Sequence, residues 1–116
     1  MSSIEWQTAL GYAEDSAIAT RKPILLDFFN PECLGCQQME AVTYSSEAVI
    51  SFVKDNLIPL RIDWDKKESY ERYHAIWSPT LFVLDHHGNE VQRNVGFLEP
   101  GKFMALMLLG IAKVYM

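Results

Sequence analysis

The feature that most constrains the fold of this 116-residue chain is an apolar run, ILLDFF, at positions 24–29. Pro23 precedes the run and Asn30 and Pro31 follow it, so its length is that of a single strand. A strand that is apolar on both faces is typical of a sheet with helices on both sides, because a sheet that faces water alternates apolar and polar residues. The run therefore predicts a layered α/β domain.

Before this strand, the sequence predicts an N-terminal helix. A capping-box pattern occupies residues 2–5, and the helical pattern ends before Pro23. The apolar face of the predicted helix consists of Trp6, Leu10, Ala13 and Ala17. Such a helix should pack against the core.

The rest of the chain alternates between helical and strand patterns. Helical periodicity returns after Cys33 and predicts a bent or two-part helix that reaches about residue 56. The other predicted elements are a strand at 57–62, a helix from Asp65 to about Ile76, a hairpin of strands 80–84 and 90–95 with a turn at 86–89, and a final helix from Pro100. This order predicts a four-stranded mixed sheet with helices on both faces.

Size and composition predict a single domain over residues 1–116. The net charge of −5 argues against a nucleic-acid partner, because proteins that bind the phosphate backbone are usually basic. The most apolar stretch, residues 103–111, is far shorter than the ~20 residues of a membrane span, so we expect none. The start of the sequence has no signal-peptide pattern, so we expect a cytoplasmic protein, or a periplasmic one if a signal peptide has been removed.

The two cysteines of the chain, Cys33 and Cys36, form a CxxC motif between a buried strand and a helix. At a helix N-terminus, unpaired backbone N–H groups and the helix dipole stabilise a thiolate, so the Cys33 pKa should lie below its usual ~8.5. Cys36, one turn later, should be more buried and close enough to attack a mixed disulfide on Cys33. We therefore expect Cys33 to be the nucleophile and Cys36 the resolving thiol.

A zinc site is the main alternative for a CxxC motif. Structural zinc usually takes four ligands, and the other candidates, His74, His86 and His87, are distant in sequence. His86 and His87 are better explained as exposed residues of a hairpin turn. We therefore expect neither a metal nor an organic cofactor.

Asp27 interrupts the apolar run of the first strand. A buried carboxylate is costly unless it is paired or protonated, so we expect a raised pKa for Asp27. Because this residue lies six positions before Cys33, its carboxyl group could lie below Cys36 and accept the proton of that thiol as a general base. The alternative is a strand edge at which Asp27 contacts water.

Together with the start of the third strand, these residues resemble the thioredoxin superfamily. The resemblance extends from residue 24 to the final helix. The matching positions are Asp27 for the buried aspartate, Cys33 and Cys36 for the attacking and resolving cysteines, Pro79 and Thr80 for the cis-proline and the threonine after it, and Gly96 for the glycine late in the last strand. The leading helix is most similar to the branch that includes the C-terminal domain of the bacterial transmembrane disulfide reductase.

The resemblance implies a thioredoxin-like fold with an extra N-terminal helix. It also implies a thiol:disulfide oxidoreductase that acts on protein disulfides and is recharged by an external reductase or oxidant. In the family, the backbone of the residue before the cis-proline pairs with an extended substrate segment, a role that falls here to Ser78 beside Pro79 and Thr80. Ser78 replaces thioredoxin's isoleucine, so substrate choice should differ.

The active-site loop also departs from thioredoxin. Glu32 replaces the tryptophan before the first cysteine, and Leu34-Gly35 replaces Gly-Pro between the cysteines. The Glu32 carboxylate should oppose thiolate formation at Cys33, so the redox set point stays open. The lysine that partners the family's buried aspartate falls near Pro59, so Asp27 is expected to lack its usual counter-charge.

The final helix carries more apolar surface than one sheet contact explains. Its extra apolar residues are Met104, Leu108 and Met116, which we expect to be buried under the first helix or a loop. A dimer or a partner contact through this helix is the alternative.

For the whole chain, the competing function is a thioredoxin-like adaptor module with little redox turnover. The combination of the CxxC motif, Asp27 and Pro79 favours the enzyme, because an adaptor has no chemical need for all three.

Overall fold

The computed structural model describes residues 3–65 and 71–116. Its elements are α1 (Leu10–Thr20), β1 (Ile24–Phe29), α2 (Leu34–Gln38), a π-helical turn (Met39–Thr43), α3 (Glu47–Asn56), β2 (Ile58–Asp63), β3 (Thr80–Leu84), β4 (Glu90–Val95) and α4 (Pro100–Val114). The strand order is β2-β1-β3-β4, with β1 parallel to β2 and the other pairs antiparallel. The predicted four-stranded mixed sheet is confirmed.

The side chains of β1 alternate between two cores, one on each face of the sheet. Ile24, Leu26 and Phe28 pack on the face that α1 covers. Leu25 packs on the other face, with residues of the π-helical turn, α3 and α4. Because side chains alternate along a strand, Asp27 shares the face of Leu25.

The N-terminal helix begins later than the sequence pattern predicts. Residues 3–9 are not helical, and α1 starts at Leu10. The Gln7 N–H donates to the Pro59 carbonyl oxygen at 2.9 Å, and the Gln7 carbonyl accepts from the Arg61 N–H at 2.8 Å. Since β2 is the outer strand of the sheet, this extended segment satisfies backbone groups that an early helix would leave unpaired.

The two-part helix after Cys33 is confirmed. Cys33 is the N-cap of α2, and the π-helical turn carries the chain from α2 towards α3. The Ser46 hydroxyl caps α3 by accepting a hydrogen bond from the Val49 N–H at 3.4 Å. The irregular stretch at 43–46 is therefore the joint between the two parts.

Part of the helix predicted between Asp65 and Ile76 falls at residues 66–70, outside the described residues. Residues 71–73 are helical, but His74 has a left-handed backbone with φ of 52°, so the helix does not reach Ile76. Ile76 and Trp77 follow in an exposed loop that leads to β3.

Helix α4 covers the sheet with one face. Phe103 and Met107 are buried and Met104 is half-buried, whereas Leu108 and Met116 are exposed. We expected the extra apolar residues of this helix to be buried under α1 or a loop. This expectation is wrong for Leu108 and Met116, because α1 packs on the opposite face of the sheet. Within residues 3–65 and 71–116, we found no helix with the length and apolar character of a membrane span.

Candidate active site

The Cys33 thiol lies at the junction of three backbone segments. As the N-cap of α2, its Sγ accepts a hydrogen bond from the Cys36 N–H at 3.2 Å. The thiol also donates to the Ser78 carbonyl oxygen at 3.1 Å, which joins the CxxC motif to the loop before β3. The Cys33 N–H donates to the Asn30 carbonyl at 3.0 Å, so the turn after β1 fixes the position of Cys33.

These contacts decide the acidity of Cys33. Partial burial by itself raises the pKa of this thiol, but hydrogen bonds from the Cys36 thiol, the Ser78 side chain and the backbone N–H groups of Cys36 and Gly35 lower it more strongly. The net result is a pKa below the usual value for cysteine. This direction agrees with the expectation for a thiol at a helix start.

Cys36 has the opposite character. Its thiol is buried, and Sγ accepts a hydrogen bond from the Asn30 N–H at 3.5 Å. Burial raises its pKa to about 12, and the charges of Cys33 and Asp27 also raise it. In the reduced state, Cys36 therefore keeps its proton.

Asp27 is buried beside Cys36, with an exposed fraction of 2%. Its burial raises its pKa from 3.8 to about 6, although Arg61 and the Tyr44 hydroxyl pull the pKa down. Asp27 Oδ1 and the Tyr44 hydroxyl are both buried without a hydrogen-bond partner, although Tyr44 is close enough to lower the Asp27 pKa. The alternative of a strand edge open to water is wrong.

Arg61 is the residue that sequence reasoning missed. It is the register partner of Asp27 across β1 and β2, and its Nη2 lies 3.7 Å from Asp27 Oδ2. The same Nη2 also contacts Glu40 Oε1. The expectation that Asp27 lacks a counter-charge is therefore wrong. Pro59 and Arg61 are two residues apart on one strand, so they share a face, and this spacing could have identified the arginine.

An aromatic cage holds the Arg61 guanidinium in place. Its central carbon lies 4.4 Å from the Trp6 ring centroid, 5.1 Å from that of Phe29 and 5.6 Å from that of Tyr44. Cation–π contacts of this kind stabilise a partly buried guanidinium. The extended N-terminal segment thus supplies Trp6 to the site, instead of placing it on the face of α1.

A cleft of 260 Å³ leads from these charged groups to the surface, and it is lined by Asp27, Phe29, Pro31, Cys36, Gln37, Glu40 and Arg61. The cleft is wide enough for water, and Asp27 Oδ1 and Arg61 Nε are buried polar atoms without a protein partner. A proton on Cys36 or Asp27 can therefore exchange with solvent along this cleft. A larger cleft of 420 Å³ lies between the N-terminal segment and α3 and contains neither cysteine.

The loop before β3 forms the other side of the site. The Ser78–Pro79 peptide bond is cis, and the Pro79 carbonyl accepts a hydrogen bond from the Gly96 N–H at 2.9 Å. Thr80, the first residue of β3, is buried. A Cβ atom on Gly35 would lie 2.9 Å from Pro79 Cδ, so glycine at this position permits the close approach of the two loops.

Glu32 and Leu34 lie at the surface on either side of Cys33. The Glu32 carboxylate is not among the main influences on the Cys33 pKa, so the expected opposition to thiolate formation does not decide its direction. Solvent screens an exposed charge, which explains the weak effect. Across residues 3–65 and 71–116, no three His, Cys, Asp or Glu side chains are arranged to hold a metal ion.

Comparison with known proteins gives consistent matches. A family model described as a thioredoxin-like domain matches residues 10–110. The thiol:disulfide interchange protein DsbD of Pasteurella multocida (strain Pm70) is 26% identical over 110 residues, which cover 86% of this chain and 19% of that protein. This chain spans less than a fifth of the length of the curated relatives it matches.

Solved structures agree with the fold. The reduced C-terminal domain of DsbD from Neisseria meningitidis is 27% identical, with a TM-score of 0.73 over 87% of this chain and 93% of that one. A thioredoxin from Thermus thermophilus gives a TM-score of 0.84 at 22% identity, over 97% of this chain and 91% of that one. At this identity, the match to the Thermus thermophilus thioredoxin shows a shared fold.

Proposed function

The chain belongs to the thioredoxin-like domain family. We propose that it is a thiol:disulfide oxidoreductase that reduces or exchanges protein disulfides through Cys33 and Cys36. The observation that supports this proposal most directly is that the pKa values of two thiols one helical turn apart are shifted in opposite directions. The pKa of Cys33, which is partly exposed, is lowered, whereas the pKa of Cys36, which lies beside a buried carboxyl group, is raised to about 12. A nucleophile and a resolving thiol need this difference.

In the first step, the Cys33 thiolate attacks one sulfur of a substrate disulfide. A Cys33–substrate disulfide forms, the substrate disulfide breaks, and the leaving sulfur departs as a thiolate that takes a proton from solvent. The Ser78 carbonyl lies 3.1 Å from Cys33 Sγ, so the substrate chain approaches beside this loop. We assign Ser78, Pro79 and Thr80 to substrate docking, with Glu32, Leu34 and Gly35 as the opposite loop.

In the second step, Cys36 attacks Cys33 Sγ and displaces the second substrate thiolate. The negative charge on Cys33 is one cause of the raised Cys36 pKa, and this cause vanishes once Cys33 is in a mixed disulfide. Asp27, with a pKa of about 6, is mostly ionised at neutral pH and accepts the Cys36 proton. Two electrons pass to the substrate, and a Cys33–Cys36 disulfide is left.

The cycle closes when an external dithiol reduces the Cys33–Cys36 disulfide. With an oxidising partner, the same steps run in reverse, so the direction of electron flow depends on the partner and its compartment. A cytoplasmic location stays a prediction and would favour reduction. The reduction potential of the pair, measured against glutathione, tests the direction: a value near ~−270 mV supports a reductase, and one near ~−120 mV would reverse this assignment.

Trapping tests the function itself. Cys36→Ser should accumulate mixed disulfides between Cys33 and substrate proteins, because the resolving thiol is gone. Cys33→Ser is the matched control and should trap nothing, since Cys36 is buried and keeps its proton. If Cys36→Ser also traps no partner and reduced protein exchanges with no disulfide, the adaptor function is the better one.

A further inference from the structure

The extended N-terminal segment is attached to the outer strand of the sheet beside Arg61. The Gln7 N–H donates to the Pro59 carbonyl at 2.9 Å, and the Arg61 N–H donates to the Gln7 carbonyl at 2.8 Å. The Gln7 side chain also donates to the Ser16 hydroxyl at 3.0 Å, which connects the segment to α1. Trp6 directly precedes Gln7, so these hydrogen bonds fix the position of Trp6 relative to Arg61.

Trp6 contacts both of the side chains that lower the Asp27 pKa. Its ring centroid lies 4.4 Å from the central carbon of the Arg61 guanidinium, which is the shortest of the three ring distances. The same ring meets the Tyr44 ring edge to face, with the centroids 4.9 Å apart. Trp6 is not among the residues that line the cleft at Asp27 and Cys36. An influence of Trp6 on the carboxyl group therefore passes through its neighbours.

The Arg61 guanidinium is shared between a buried and an exposed carboxylate. Its Nη2 lies 3.7 Å from Asp27 Oδ2 and also contacts Glu40 Oε1, and the two carboxylate side chains are 3% and 53% exposed. The Nε of Arg61 is buried without a protein hydrogen-bond partner. A guanidinium that moved outwards with Glu40 would gain hydration and would leave Asp27 without its counter-charge. The Trp6 ring opposes this movement, because the cation–π contact would be lost.

We propose that Trp6 is a positioning residue, whose ring holds the Arg61 guanidinium beside Asp27. This contact determines how readily Asp27 accepts the proton of Cys36 in the resolving step, so the inference rests on the proposed oxidoreductase function. Next to burial, Arg61 has the largest influence on the pKa of Asp27, and displacement of its guanidinium should raise that pKa. The titratable and charged groups that face Asp27 are Cys36 from α2, Glu40 and Tyr44 from the π-helical turn and its end, and Arg61 from β2.

The direct test follows the ionisation of Asp27 in the reduced protein through the chemical shift of its carboxyl carbon in an NMR titration. In the wild-type chain, the midpoint should lie near pH 6. Trp6→Leu keeps an apolar side chain without the ring, and it should raise the midpoint by about half a pH unit. Trp6→Phe should raise it by less, because phenylalanine keeps a ring but is a weaker cation–π partner. Tyr12→Leu removes an exposed ring of α1 and should leave the midpoint unchanged.

A double variant tests whether Trp6 acts through Arg61. Arg61→Met alone should raise the midpoint by about one pH unit, and the addition of Trp6→Leu should raise it no further, because the guanidinium is already gone. An effect of Trp6 on general packing or through Tyr44 would instead add to that of Arg61→Met. In each variant, the pH at which the rate of Cys33–Cys36 disulfide formation rises should follow the midpoint, as measured by acid quenching with glutathione disulfide.

The outcomes separate this inference from the function on which it rests. A midpoint in Trp6→Leu equal to that of the wild-type chain, or full additivity in the double variant, overturns the role of Trp6 while the oxidoreductase stands. If Trp6→Leu does not fold, Trp6→Phe decides, and an unchanged midpoint there overturns the same role. Midpoints that move as expected in a protein that exchanges with no disulfide overturn the proposed function and the resolving step, while the contact of Trp6 with Arg61 stands.

Discussion

At the scale of single residues, Asp27 is subject to opposing influences that set its charge. Burial raises its pKa to about 6, Arg61 and Tyr44 lower the pKa, and the Glu40 carboxylate raises it again. Because Arg61 contacts both carboxylates, it limits the repulsion between them. The carboxyl group is therefore tuned to accept and release a proton close to neutral pH, as a general base requires.

The raised pKa of Asp27 predicts that this residue destabilises the fold at neutral pH. Between about pH 4 and pH 6, the folded state binds the Asp27 proton and the unfolded chain does not, so the free energy of unfolding falls as the pH rises through this window. A pKa raised from 3.8 to about 6 corresponds to a loss of roughly 3 kcal/mol. Asp27→Asn should therefore increase the free energy of unfolding at about pH 8 by roughly 1 to 3 kcal/mol, measured by urea denaturation.

Asp85 provides a control of opposite sign. Its carboxylate accepts hydrogen bonds from the His87 and Asn89 N–H groups, and despite some desolvation its pKa is lowered. Asp85→Asn should therefore decrease the free energy of unfolding above pH 4. A lower stability of Asp27→Asn at about pH 8, or an unchanged slope between pH 4 and pH 6, would contradict the raised pKa of Asp27.

Removing the Arg61 charge should shift the pH profile of the resolving step. Without this guanidinium the Asp27 pKa rises further, because the nearby positive charge favours the carboxylate. For Arg61→Met, we expect the rise in the rate of Cys33–Cys36 disulfide formation to move to a pH higher by about one unit. The rate is measured by acid quenching after reduced protein is mixed with glutathione disulfide.

Two variants control for structural damage at Arg61. Arg61→Lys keeps the positive charge and should return the profile towards that of the wild-type chain. Arg72→Met removes an arginine that pairs with Glu14 on the surface, and it should leave the profile unchanged. A profile that stays the same in Arg61→Met would show that Arg61 does not tune Asp27.

At the scale of elements, the π-helical turn after α2 determines which side chains reach Asp27. The Tyr44 N–H donates to the Met39 carbonyl at 2.7 Å, which inserts one extra residue into the turn. An extra residue rotates the side chains that follow it by ~100°, which brings Tyr44 towards Asp27. At the start of the same turn, Glu40 contacts Arg61. The Thr43 hydroxyl donates to the Leu98 carbonyl and holds this turn against the loop before α4.

The packing of α4 on the sheet depends on Gly110. A Cβ atom at this position would lie 2.5 Å from Val83 Cγ2, so Gly110→Ala should push the helix away from the sheet. We expect the free energy of unfolding to decrease by about 1 to 3 kcal/mol. Val83→Ala removes the clashing methyl group, so the double variant should lose less stability than the sum of the two single variants.

Gly11→Ala is the matched control for this experiment. Gly11 lies in α1 with nothing within 4 Å of its Cβ position, so alanine should stabilise the chain by about 0.5 to 1 kcal/mol through helix propensity. All four variants can be compared by urea denaturation. If Gly110→Ala and Val83→Ala are additive within about 0.5 kcal/mol, the contact between them is not tight.

The elements differ in how far the sequence alone could predict them. The bounds of β1 and β3 follow from apolar runs that local breakers delimit, such as Pro23 before β1. The start of β4, a mostly polar strand, follows from the turn at Gly88 before it. The start of α1 could not be predicted in this way, because Gln7 pairs with β2, about fifty positions later in the chain. The same holds for Arg61, whose partnership with Asp27 depends on the register of β1 and β2.

At the scale of the whole molecule, charge should influence which disulfides react fastest. The net charge is −5, and the carboxylates of Glu32 and Glu40 are exposed near the thiols. The molecule measures 32 × 32 × 25 Å. The Debye length is ~30 Å at 0.01 M salt and ~10 Å at 0.1 M, so only at low salt does the field of the entire molecule reach a ligand at Cys33.

We therefore predict that this chain reacts faster with the cationic disulfide cystamine than with neutral hydroxyethyl disulfide, and that salt removes the advantage. Each rate is first divided by the rate of a free cysteine derivative with the same disulfide. The rate with cystamine should then exceed the rate with hydroxyethyl disulfide about tenfold at 0.01 M salt and about twofold at 0.5 M. Glu32→Gln should lower the ratio at low salt, because it removes the carboxylate next to Cys33. A ratio that does not change with salt would mean that only contacts close to Cys33 select the substrate.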